Sequence, residues 1–207
     1  PVHSIENGTT TLVIENAKTG LKVFGDHNLM NLNAAFYACR EAGVDAKTFV
    51  EAISSFTGAA KRLELMASSA SVNVYRDFAH APSKVKASIE AVKQQFPERK
   101  LYAVLELHTY SSLNEAFMKE YKGAFDKADV GVVFYSKHAL ELKRMPGLPK
   151  EKVIEGFEKP GLLVMNDKNE LWEFLQQQDF RYSNLLLMSS GNYDGLNMKA
   201  FANKITS

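Results

Sequence analysis

A single cysteine in 207 residues leaves nothing for a disulfide framework or a multi-cysteine zinc site, and it makes a reducing compartment the simpler reading. Charge of one sign is equally scarce. The chain sets 25 Lys and Arg against 24 Asp and Glu, a net charge of +1. That balance gives no electrostatic case for nucleic acid or an anionic membrane surface as a partner. No apolar run approaches the roughly 18 residues needed to span a bilayer, and no secretory signal pattern opens the chain. Neither Gly-x-Gly-x-x-Gly nor Gly-x-x-x-x-Gly-Lys-Ser/Thr occurs, so no complete nucleotide-phosphate loop is present. Gly-x-Ser-x-Gly, His-x-x-x-His and Cys-x-x-Cys are absent too, which argues against a serine-hydrolase elbow and a dedicated zinc site. Pro1 rather than Met stands first, and a partial or trimmed chain is expected.

What is present reads as alternating short strands and helices. The β-branched stretch Thr9–Ile14 predicts a strand, Asn16 to Gly20 a turn, and Leu21–Phe24 a second strand closing a hairpin. Leu29, Leu32, Ala35, Phe36 and Cys39 recur at helical spacing over Asn28–Ala42, with Gly43 as a stop, and Asp45 caps a shorter helix through Ile53. Cys39 thereby falls on an apolar helix face, as a core residue. The small, polar stretch Ser54–Ala60 suggests a boundary, giving one unit over residues 1–59 and a second over 60–207.

Beyond it, strands are expected at Leu63–Met66, Val72–Tyr75, Leu101–Leu105, Val130–Tyr135, Leu162–Met165 and Leu185–Met188. Helices are expected from Pro82 to Phe96, Leu113 to Ala128, Asn169 to Gln177 and Leu196 to Ile205, with Arg144–Lys150 as a loop. Apolar strands of four to six residues alternating with helices predict an α/β fold, a doubly wound and mostly parallel sheet covered on both faces.

In such a sheet ligands bind beyond the carboxyl ends of the strands. His80, His108 and His138 all fall just after predicted strands, three of the five histidines on one rim. The loop Ser189-Ser190-Gly191-Asn192-Tyr193-Asp194-Gly195 has the composition of a strand-to-helix anion cradle, although such turns are common without a ligand.

Three ordered motifs then stand out. Gly25, His27, Asn28, Asn31, Ala34 and Ala35 resemble the Gly-x-His-Asn-x-x-Asn-x-x-Ala-Ala signature of the Mur ligases. Phe56, Gly58, Arg62 and Glu64 resemble that family's Phe-x-Gly-x-x-Arg-Arg-x-Glu boundary motif. Asp77-Phe78-Ala79-His80-Ala81-Pro82 resembles its Asp-Tyr-Ala-His-x-Pro motif. The resemblance covers almost the whole chain, as the tail of a central ATPase domain followed by a Rossmann-like C-terminal domain. Within the family it is nearest the branch that joins alanine, or a recovered tripeptide, to UDP-N-acetylmuramate.

The resemblance implies a cytoplasmic, ATP-dependent ligase of peptidoglycan synthesis or recycling. Its substrates would be UDP-N-acetylmuramate and an amino-acid or peptide amine, with ATP and Mg²⁺ as cofactors. It places ATP against His27, Asn28, Asn31, Arg62, Asp77, His80 and Lys84. An Asn amide both donates to and accepts from an adenine edge, and an Arg fork suits phosphate oxygens. It leaves His108, Tyr110, Ser111, Ser190, Asn192 and Tyr193 to recognise the incoming substrate. No catalytic residue and no Mg²⁺ ligand are assigned within these residues, because the family's phosphate loop is not among them, and the chain alone is expected to be inactive.

Two departures bear on substrate identity. The loop Glu106 to Ser112 lacks both arginines that the alanine-adding branch carries there, and Ala81 stands where that branch often has a second histidine. A folylpolyglutamate-synthase-like ligase and a non-catalytic nucleotide-binding or protein-interaction module of the same fold remain the alternatives. On the residues alone, His27, Asn28 and Asp77 also fit helix caps, and Arg62 a surface ion pair.

Overall fold

A computed structural model describes residues 2–207. The chain opens on a three-stranded antiparallel meander: β1 (Val2–Glu6), β2 (Thr9–Ile14) and β3 (Ala17–Leu21). The β1–β2 turn is Asn7-Gly8, with φ of 51° and 74°, the left-handed pair that a two-residue hairpin demands. The sequence expectation for β3 was displaced. Ile14 pairs with Ala17, so the turn is Glu15-Asn16, the strand runs Ala17–Leu21, and Leu21–Phe24 is not a strand. The register is set by Leu12, Ile14 and Leu21, which bury on one face under α1 (Asp26–Glu41) and α2 (Ala46–Ile53). Asp45 caps α2 through a 2.7 Å bond from the Thr48 amide.

Residues 54–63 lead to a six-stranded sheet of order β4-β5-β9-β6-β7-β8. Its strands are β4 (Glu64–Ser68), β5 (Val72–Asp77), β6 (Lys100–Glu106), β7 (Val130–Phe134), β8 (Leu163–Met165) and β9 (Ser183–Met188). Only β4 is antiparallel to its neighbour; the other pairings are parallel. Along β5, β6, β7 and β9 side chains alternate between the two covered faces, while β4 carries a register shift between Leu65 and Ala67. Leu101, Ala103 and Leu105 of β6 and Leu186 and Met188 of β9 pack under α3 (Pro82–Gln95) and α5 (Lys150–Phe157). Tyr102 and Val104 of β6 and Leu185 and Leu187 of β9 pack under α6 (Lys168–Gln177) and α7 (Met198–Thr206).

Two short helices, α4 (Lys137–Leu142, capped by Ser136) and α5, were not expected from the sequence. The expected helix over Leu113–Ala128 is instead a 3-10 segment, Glu115–Tyr121, followed by turns. Burial of Met118, Tyr121 and Ala124 follows the three-residue period of that conformation, and Tyr121 stacks on Phe157 at 4.7 Å.

The meander is tied to the larger sheet by buried polar bonds as well as by rings. Thr10 Oγ1 donates to Gln95 Oε1 (2.8 Å), and Gln95 Nε2 donates to the Gly8 carbonyl (2.7 Å). Phe24 packs edge-on to Tyr75 and Phe96. These contacts bring the start of α1 against α3. Among the described residues no helix is long and apolar enough to cross a membrane.

Candidate functional site

Strand order decides where the rim opens. The segments that follow β5 and β6 pack on the face of α3, whereas β9, inserted between them, leads to α7 on the opposite face. Backbone leaving adjacent strand ends to opposite sides opens a crevice at their carboxyl ends. Asp77 ends β5, Glu106 ends β6 and Met188 ends β9. The crevice is therefore bordered by Asp77 on one side and Glu106 on the other, two strand spacings or about 10 Å apart.

On the Asp77 side the three motif segments meet. Burial is the largest influence on His27 and holds its pKa below the ordinary imidazole value of 6.5. The negative charges of Asp77 and Asp26 oppose that shift, and the positive charges of Lys84 and Arg62 add to it. The Phe78 amide donates to the Lys61 carbonyl (2.7 Å) and the Leu63 amide to Asp77, so the connection at Arg62 meets the end of β5, while α1 packs against α3. His27 also lines an open groove of about 460 Å³ between α1 and α3, with Asp26, Ala87, Glu90 and Ala91.

Asp77 itself is only 8% exposed, and its carboxylate is occupied by protein donors. Oδ1 accepts from the Ala79 amide (2.8 Å), and Oδ2 accepts from the Leu63 amide (3.2 Å) and the Ser88 hydroxyl (2.9 Å). It does not cap α3, whose N-cap residue Ala81 receives no side-chain bond. Its bond to Leu63, a bulky residue at φ 46°, pins the backbone beside Arg62 in a left-handed conformation.

Asn28 Nδ2 donates to the Phe24 carbonyl (2.9 Å), its amide oxygen has no partner among the described residues, and Asn31 is exposed on the next turn of α1. His80 Nδ1 is 2.9 Å from the Phe78 carbonyl. Arg62 and Lys84 are exposed, and among the described residues neither is engaged in an ion pair.

On the other side of β9 the arrangement centres on a residue that sequence reasoning passed over. Glu106 is 1% exposed. Its Oε2 accepts from the Ser189 hydroxyl and from the Tyr193 amide (2.8 Å), so the 189–193 turn is folded around this one oxygen. Ser189 Oγ in turn accepts from the Gly191 amide (2.7 Å). A Cβ on Gly191 would sit 2.8 Å from Glu106 Oε2 and from the His108 ring, so only glycine lets the turn close on both. His108 Nδ1 is 3.8 Å from Glu106 Oε1.

The remaining expected substrate groups divide. Tyr110, Ser111 and Asn192 are exposed on the rim, and Lys143 Nζ lies 4.7 Å from the Tyr110 ring centroid. Ser190 Oγ is enclosed with no partner. Tyr193 is a correction. Its ring is buried and its hydroxyl lies 2.9 Å from the Met188 carbonyl and 3.1 Å from that of Val104, so it anchors the turn from below and presents nothing to the rim. His138 is exposed on α4 beyond β7. The only signal for Glu106 in the sequence was a carboxylate ending an otherwise apolar run.

A doubly wound sheet with charged groups gathered at its switch point is the architecture of an open α/β ligand-binding domain. Residues 61–191 match the family model described as Mur ligase, glutamate ligase domain, and the chain belongs to the Mur ligase family. It is 32% identical over 131 residues to a UDP-N-acetylmuramate–L-alanine ligase of Desulfitobacterium hafniense, covering 62% of this chain and 29% of that protein. It is 36% identical over 116 residues to the enzyme of the same description from Paenarthrobacter aurescens, covering 56% and 25%. The chain thus matches under a third of the length of these relatives.

Among solved structures, UDP-N-acetylmuramate-alanine ligase of Thermotoga maritima superposes with a TM-score of 0.73 at 18% identity, over 98% of this chain and 44% of that one. A murein peptide ligase of Psychrobacter arcticus gives 0.60 at 20% identity, over 100% and 44%. A Mycobacterium tuberculosis folylpolyglutamate synthase, solved with ADP and AMPPCP, gives 0.59 at 17% identity, over 92% and 44%. These likenesses establish the shared fold.

Proposed function

We propose that this chain is the C-terminal part of an ATP-dependent ligase that joins an amino-acid or peptide amine to UDP-N-acetylmuramate in peptidoglycan synthesis or recycling. The division we propose is a tail of the ATP-binding domain over residues 1–59 and a complete C-terminal domain over 60–207. The observation that carries the reading is the convergence of His27, Arg62, Asp77 and Lys84 at the switch point, in a chain of this family.

The donor set suits a nucleotide. His27, whose burial disfavours the charged form, offers a ring edge, and Asn28 keeps its amide oxygen available for an adenine. Asn31 extends the same helix face. Arg62 and Lys84, exposed and without an ion-pair partner among the described residues, supply positive charge for ribose or phosphate oxygens. Asp77 positions Leu63, Ala79 and hence Arg62 and His80; a carboxylate has about four acceptor sites, and the one left over can take a ribose hydroxyl. When bound with Mg²⁺, ATP supplies the phosphoryl group that activates the precursor carboxylate. His108, Tyr110, Ser111, Ser190 and Asn192 face or border the amine side of the crevice. Holding the amine there orients it and keeps water from competing for the activated carbonyl.

The test is a phosphate-release assay on the intact protein with UDP-N-acetylmuramate and a panel of L-alanine, tripeptide, and folate with glutamate. Amine-dependent turnover with UDP-N-acetylmuramate and either of the first two is expected, and Arg62→Ala should reduce it without loss of fold. Turnover only with folate and glutamate, or none at all, overturns the reading. The 207 residues alone should give no turnover above a no-protein control.

A further inference from the structure

Glu106 is a buried carboxylate only half accounted for by the protein donors around it. A carboxylate enclosed in protein is costly unless each oxygen is matched by donors. Oε2 is matched twice, by Ser189 and by the Tyr193 amide. Oε1 has no hydrogen bond among the described residues, and no lysine or arginine pairs with it; His108 Nδ1 lies 3.8 Å away, too far for a hydrogen bond. One carboxylate oxygen thus stands without a hydrogen-bonding partner next to a partly exposed imidazole at the switch-point crevice, and Gly191 lets the 189–193 turn close on both groups.

The chemistry missing from this corner is a compact donor with positive charge. A primary ammonium carries three N–H donors and one charge, enough to engage Glu106 Oε1 while still bonding to His108 or water. A metal ion is a poor match: one carboxylate and one imidazole are too few ligands, and among the described residues no group of three or more His, Cys, Asp or Glu is gathered.

We propose that Glu106 Oε1, with His108 beside it, is the ammonium-binding corner of the subsite for the incoming amine. The inference rests on the ligase reading above and refines it by placing the nucleophile-bearing end of the substrate at the end of β6. Oε2 and Oε1 then divide the labour, one building the turn and the other binding the ligand.

Glu106→Gln separates the two roles. Its amide oxygen can replace Oε2 toward Ser189 and the Tyr193 amide, while the negative charge facing His108 is lost. In the intact protein, Glu106→Gln should keep the wild-type melting temperature within a few degrees. It should raise KM for the amine at least about tenfold and leave KM for ATP within about twofold. An unchanged KM for the amine in the folded variant overturns the proposal.

A second measurement needs no ligase activity. Titrating L-alaninamide, a primary ammonium without a carboxylate, should shift the His108 ring resonances in wild type and not in Glu106→Gln. Absence of that shift in wild type overturns the proposal. A shift in a protein that shows no amine-dependent turnover leaves the ammonium corner standing and overturns the ligase reading instead.

Discussion

Replacing Asp77 with alanine should cost more stability than its position on a ligand-binding rim suggests. The carboxylate serves two backbone amides, those of Leu63 and Ala79, and the Ser88 hydroxyl. With the side chain 8% exposed, water cannot readily take over. Each buried amide left without an acceptor costs about 1–3 kcal/mol. The Ser88 hydroxyl can rotate toward a carbonyl one turn back in α3, so its loss adds little. The sum is roughly 2–6 kcal/mol, a large share of the roughly 5–15 kcal/mol that holds a domain together.

Asp77→Asn should be milder. Its one oxygen can keep Ala79, and its amide nitrogen can donate to a reversed Ser88 hydroxyl. Only Leu63 is then orphaned, for roughly 1–3 kcal/mol. Urea unfolding followed by circular dichroism measures both. An alanine variant within about 0.5 kcal/mol of wild type, as at an ordinary surface site, would refute the claim that these bonds hold the segment from Leu63 to Ala79 in place. The ordering Ala worse than Asn also matters for function, because an activity loss in Asp77→Ala alone could not be assigned to nucleotide binding.

Other outcomes follow from single contacts. In Gly156→Ala, the new Cβ would lie 2.4 Å from Met118 Cβ and 2.6 Å from the Met118 carbonyl carbon, backbone that cannot swing aside. A loss of at least about 2 kcal/mol in urea unfolding is expected. Because His27 has a folded pKa below 6.5, the unfolded chain binds the extra proton first as pH falls through that value. Its contribution is therefore complete above 6.5 and declines toward the folded pKa, so His27→Gln should lose less stability than wild type between about pH 7.5 and about pH 5.5. Tyr193→Phe should cost about 1–2 kcal/mol through its buried hydroxyl, with KM for the amine unchanged, since that hydroxyl faces the Val104 and Met188 carbonyls.

Local patterning determined much of this molecule. Leu101–Leu105 and Leu185–Met188 are strands buried on both faces, and a run with no polar interruption can serve little else. Asp45 and Pro82 open their helices by chemistry contained within one turn. Where local signals competed, tertiary contact settled the outcome. The spacing of Phe117, Tyr121 and Phe125 suits an α-helix, yet the close backbone approach of Gly156 to Met118 accompanies a 3-10 segment laid flat on α5. The expected hairpin turn at Asn16–Gly20 moved to Glu15-Asn16, set by which residues of β3 had to face α1 and α2, and the β1–β2 hairpin through Asn7-Gly8 was not expected.

The site divides the same way. That His80 and His108 follow strands, and so lie on one rim, is a consequence of chain order. That β9 is inserted between β5 and β6 is not, because strand order depends on which crossover packs on which face. Only that insertion brings the Ser189–Tyr193 turn onto Glu106. It turns the last residue of an apolar strand into a buried carboxylate with one oxygen spoken for and one facing the crevice.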